Sequence, residues 1–194
     1  MTIRSGAAAS LVAILVTMPI VAGCGPTASS TTKEGEPMSQ AFEELMKRPN
    51  LTEVDADYQS MFATIRDRLV SEVGVAAWVP DDEPMSGSSC GGGIANLEGA
   101  EVRRYDAGAS PGNLPDEAWD EAVAIVTEVA GRHGFGAPKV IVSGPGDHEV
   151  SFRDRYNGEL LFGTGANTIL GATTGCHLTE QAHRRGIPAP PKDY

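Results

Sequence analysis

Basic residues are scarce in this chain. Fifteen Lys and Arg stand against 26 Asp and Glu in 194 residues, a formal net charge of -11. A protein that tracks phosphate backbones needs a basic footprint, so nucleic acid is excluded as a partner. The same imbalance argues against a folded body lying flat on anionic lipid. Cysteine is scarcer still, with three in the chain, at Cys24, Cys90 and Cys176. The four histidines, His133, His148, His177 and His183, form no helical i, i+4 pair and no zinc spacing. No metal and no cofactor is therefore expected. No internal repeat is visible.

What the chain does have is one apolar run, at its start. Arg4 is the only charged side chain before Lys33, and Ala7 to Ala22 is rich in Ala, Val, Leu and Ile. A basic n-region, an apolar h-region and small residues make the layout of a secretory signal. The run is shorter than the roughly 20 apolar residues a spanning helix needs. It ends Val21-Ala22-Gly23-Cys24, which resembles the lipobox of bacterial lipoproteins. That resemblance implies diacylglycerol on the Cys24 sulfur and cleavage by signal peptidase II between Gly23 and Cys24. Two acyl chains, at roughly 0.8 kcal/mol per buried CH₂, hold a protein on a bilayer without a span. The alternative is an ordinary secretory signal with an incidental cysteine. Loss of the signal removes one base, Arg4, and leaves a mature chain more acidic still.

Residues 24–37 read as a flexible tether of Gly, Pro, Ser and Thr. Residues 38–180 suit one domain, and residues 181–194 a Pro-rich tail. Within the domain, Met38 to Lys47 is a short amphipathic segment stopped by Pro49. Leu51, Val54, Tyr58, Met61, Ile65, Leu69 and Val73 mark a helix face. Thr52 and Asp55 suggest its capping box and Gly74 its end. Val75 to Val79 reads as a buried strand, Pro80 to Gly93 as a loop, and Glu101 to Tyr105 as a second strand. Ala107 to Pro111 reads as a loop. A second helix carries acids Asp116, Glu117, Asp120 and Glu121 at its start and Arg132 at its end, matching the helix dipole. Then the chain turns β: Lys139 to Ser143, with Val140 and Val142 on one side, and His148 to Asp154, with Val150 and Phe152 inward. An Asn157-Gly158 turn comes next, then Glu159 to Phe162 and Thr168 to Thr173.

Three motifs invite chemistry. Gly87-Ser88-Ser89-Cys90-Gly91 has the spacing of a nucleophile elbow, but that device needs a strand, a sharp turn and a helix. Here glycines come next, and a flexible loop that frees Cys90 is the simpler reading. Asp147-His148-Glu149 sets three ligand types side by side. On a strand Asp147 and Glu149 share a face and His148 takes the other. The Gly87 to Gly93 stretch lacks the Lys and Ser/Thr of a phosphate loop. Cys90 and Cys176 are the two thiols left once Cys24 carries lipid, and an exported chain keeps disulfides. Each follows an expected strand beside glycine, so a Cys90–Cys176 bridge is expected. The chain-entropy relation allows such a long loop up to about 4.6 kcal/mol.

Several strings together resemble a known family. They are the helix before Trp78, the lone loop cysteine Cys90, His133-Gly134-Phe135 at a helix end, and Thr174-Gly175-Cys176-His177-Leu178. Over Leu51 to Leu178 the chain is similar to the LppA/LppB/LppV-type lipoproteins of mycobacteria. The resemblance implies an anchored envelope protein without assigned activity, and it carries over no catalytic residue. The expected fold class is α+β: an antiparallel sheet of four to six strands with two main helices on one face. The expected function is a non-enzymatic binding or accessory module at the outer face of the cytoplasmic membrane. It would be held there by lipid on Cys24. The alternative is a small envelope hydrolase using Ser89 or the Asp147/Glu149 carboxylates.

Overall fold

The computed structural model describes residues 35–189. The expected signal segment, Cys24 and most of the expected tether lie outside the described residues, as do residues 190–194 of the expected tail. The first helix, α1 (Gly35–Met46), buries Phe42 and Leu45. Helix α2 (Leu51–Arg68) begins at an Asn50 cap, whose Oδ1 accepts the Thr52 and Glu53 amides at 2.9 and 3.2 Å. Glu53 in turn accepts the Asn50 amide at 2.8 Å. The capping box is thus Asn50/Glu53 and not Thr52/Asp55, because Leu51 is already buried and must sit in the first helical turn. The helix widens into one turn over Leu69–Val73 and stops at Gly74, at φ +81°.

Strand β1 (Met85–Ser89) lies inside the expected Pro80 to Gly93 loop, and β2 (Ala100–Pro111) runs through the expected Ala107 to Pro111 loop. The expected Glu101 to Tyr105 strand is the first half of β2, while small residues hid β1 and the second half of β2. Gly108 makes the second one possible. It sits at φ +83° where β2 shifts register between Asp106 and Ala109, and a Cβ there would run into the Val79 carbonyl. Val79 bridges Ala109 in both directions, at 2.8 and 3.0 Å, and is the one residue of the expected Val75 to Val79 strand that enters the sheet. Helix α3 (Asp116–Arg132) follows, then β3 (Lys139–Gly144), β4 (Asp147–Arg153), β5 (Glu159–Thr164), β6 (Asn167–Thr173) and β7 (His177–Leu178). Helix α4 (Glu180–Arg185) occupies the first part of the expected tail. Thr179 caps it and Ala182 is buried, which one and a half turns of sequence did not reveal.

The fold is α+β. Among the described residues the sheet has seven strands, in the order β1-β2-β6-β5-β4-β3 with β7 also beside β2. Every pairing between these strands is antiparallel. One face carries Tyr105, Val150, Phe152, Leu160, Phe162 and Leu170, and α2 and α3 pack their apolar stripes there. A smaller cluster joins Phe42 and Leu45 of α1 to Leu97, Leu178 and Ala182. Cys90 and Cys176 border that cluster and are bonded, with Cα atoms 5.7 Å apart and a sequence separation of 86. Gly175 lets the chain pass beneath the Tyr156 carbonyl just before the bridge, where a Cβ would collide.

Candidate binding face

The strands that supply the core leave their alternate residues on the side away from the helices. Pairing aligns them in rows. One row runs Val142, Glu149, Gly163, Ile169, Ala109 and Val79 across the sheet. The next runs Ser151, Leu161, Gly171 and Asp106. Gly171 puts no side chain on this surface, so the floor sinks between Leu161 and Ile169. The result is a groove of about 540 Å³, floored by Leu161, Ile169 and Ala109 and rimmed by Asp81, Arg104 and Glu159. Ile169 is 46 % exposed and Val79 56 %. Arg104 makes no ion pair among the described residues, whereas Glu159 is held by Arg153 at 2.9 Å.

A second cleft of about 540 Å³ lies on the other side, between the start of α2, the end of α3 and the β4–β5 turn. Its polar groups are already spent on structure. His133 donates from Nδ1 to Asp57 at 2.8 Å and ties α3 to α2. Asp154 accepts the Tyr156 and Gly158 amides at 2.8 and 2.6 Å and stands 3.5 Å from the Tyr58 hydroxyl. Burial, then the Asp154 charge, pushes the Tyr58 phenol above its ordinary range. The Tyr156 ring is flanked by Arg48 and Arg155 at 5.1 and 4.7 Å, with the His177 ring edge-on at 5.2 Å. His177 donates from Nδ1 to the Pro49 carbonyl at 2.8 Å, and burial lowers its pKa.

The residues expected to carry chemistry are not gathered. Ser89 ends β1 opposite Glu101, and the chain runs on through Cys90 into a single tight turn at Gly92–Ile94, not into the helix an elbow requires. Asp147 and Glu149 share a face of β4, and His148 takes the other. There its ring stacks on Trp119 at 5.0 Å and donates from Nε2 to Asp116 at 2.9 Å. The Asp116 carboxyl is lowered, first by the Gly146 amide and then by His148. The His148 Nδ1 is buried without a partner among the described residues. No group of three or more His, Cys, Asp or Glu in metal-binding arrangement occurs among the described residues, and none of their helices is long and apolar enough to cross a membrane. Sequence reasoning missed the groove itself. Its signal was Ile169, an apolar residue out of phase with the inward Thr168, Leu170 and Ala172.

Comparison with known proteins settles what the site leaves open about kinship. A family model described as LppA, lipoprotein confined to pathogenic Mycobacterium, matches residues 26–180. The chain belongs to the LppA family. The fold is shared with the crystal structure of LppA from Mycobacterium tuberculosis, at TM-score 0.64 and 19% identity over 81% of this chain and 95% of that one. A DUF4853 family protein from Actinomyces odontolyticus is similar at TM-score 0.51 and 15% identity, covering 69% of this chain and 71% of that one. No curated protein matches the chain. Membership of the LppA family makes the chain one of a lipoprotein family and assigns it no activity.

Proposed function

We propose that this chain is an envelope lipoprotein, anchored through diacylglycerol on Cys24, whose helix-free sheet face binds a partner molecule outside the cytoplasmic membrane. The observation that carries the binding role is the groove: a concave surface with an apolar floor, exposed Ile169 and, on its rim, Arg104, which makes no ion pair among the described residues. Its volume is in the range of small-molecule sites. Support for the anchor comes from the lipoprotein family and from Val21-Ala22-Gly23-Cys24, with cleavage between Gly23 and Cys24. The tether would hold the acidic domain clear of anionic headgroups.

Two experiments test this. Cys24→Ala, expressed as the full chain in an actinobacterial host, is expected to leave the detergent phase and lose the lipid mass. Retention with the mature mass would refute the anchor. For the face, a photoreactive amino acid at position 169 is expected to form an adduct in the same host, and one at exposed Val70 on the helix side is not. Equal adducts, or none at 169, would refute the groove.

A further inference from the structure

The sheet ends in two very different strands. At one end β1 is Met-Ser-Gly-Ser-Ser, led by Asp81, Asp82 and Glu83. Charge, proline and a short strand protect a sheet edge against pairing, and Pro84 joins these acids at the entry to five-residue β1. At the other end β3 reads Lys-Val-Ile-Val-Ser-Gly, and no described residue pairs with its outer side. Val140 is 63 % exposed and Ile141 48 %, and between Val140 and Gly144 there is neither Pro nor charge.

Lys139 guards only the start of β3, and a bulge at Ile141 spreads the apolar surface further. Val140 lies opposite the inward residue Val150, while Val142 lies opposite Glu149 on the helix-free face. The expectation that Val140 and Val142 share a side fails for this reason. The edge is apolar on both faces, so a helix or loop laid on one face would leave the other wet. A strand added in the plane covers both and satisfies the backbone groups of the edge as well.

The charges around β3 say which strand. Lys139 opens it, and the acids Asp147 and Asp116 stand at its far end, where the Gly146 amide donates to Asp116 at 2.8 Å. Two copies related by a two-fold axis meet antiparallel. That brings the Lys139 end of each against the acidic end of the other and sets Ile141 of one copy against Val142 of the other, with Val140 beside them and no like charges opposed. We propose that β3 is a self-association edge, through which two copies of this chain join their sheets into one.

The test uses protein extracted in detergent from an actinobacterial host expressing the full chain, with the protein mass per particle read by sedimentation and light scattering across a concentration series. The native chain is expected to reach two chains per particle. Val140→Lys, which places a charge in the apolar seam on each copy, is expected to halve that mass, and Met85→Lys on β1 to leave it unchanged. Circular dichroism checks that each variant is folded, and Lys139→Glu, a change at an exposed site, gives a second arm that is expected to weaken pairing. A native chain that stays single at every concentration would overturn the proposal. So would a pair that survives both Val140→Lys and Lys139→Glu, or one lost with Met85→Lys instead.

Discussion

The two faces of this sheet come from the same strands and are built to opposite ends. On the helix side, Phe152, Leu160 and Phe162 are fully buried, and Trp119 of α3 stacks on Phe162 with ring centroids 5.1 Å apart. On the other side the alternate residues include Glu149, Glu159, Gly163 and Gly171 beside a partly exposed Leu161 and an exposed Ile169. A filled face supplies folding energy and has nothing left to offer a partner. An open face contributes little to folding, and its shape is free to serve recognition.

That contrast should break hardest on the covered face. Phe162→Ala removes a fully buried ring from the stack on Trp119, and denaturant unfolding should show a loss of about 3–5 kcal/mol. The disulfide comes next. Replacing Cys90 and Cys176 together by Ala should lower stability by up to about 4.6 kcal/mol, the chain-entropy limit for the loop they close. Hydrogen exchange should then rise first around Phe42, Leu97 and Leu178, the small cluster the bridge borders. Asn50→Ala removes a cap that accepts two amides and should cost about 1 kcal/mol in the same unfolding assay.

Acidity sharpens the comparison from the helix side. Burial depresses the pKa of His177 from its ordinary 6.5, so the folded state resists taking a proton that the unfolded chain accepts. The stability tied to the neutral ring is whole above pH 6.5 and falls as pH drops from there toward the lower folded value. Asp116, also depressed, adds a further loss below its ordinary 3.8. Unfolding midpoints tracked from neutral to acid should therefore decline, and His177→Gln should flatten the first part of that decline.

Much of the covered face was legible in the sequence. The 3.6-residue repeat from Leu51 to Leu69 and the acids at the start of α3 each have one physical reading, and the structure bears both out. Val150 and Phe152 do point inward. The open face was less legible because its signals are weak by nature. β1 is built of Met, Ser and Gly, residues that pack against nothing, and the end of β2 depends on one positive-φ glycine. The groove deepens where Gly171 contributes no side chain, and a missing side chain speaks only once the register of neighbouring strands is known. The thiols were another matter: with Cys24 set aside only one pairing remained, and Cys90 and Cys176 are bonded in that way.

Ile169→Glu puts both faces into one measurement. Stability should stay within about 0.5 kcal/mol of the native chain, as for an exposed site. In the same protein, a photoreactive residue at Arg104 on the groove rim should lose the adduct it forms when Ile169 is intact. An unfolding loss on the scale of Phe162→Ala, or an adduct at position 104 that persists undiminished, would contradict the division of this sheet into a face that folds and a face that binds.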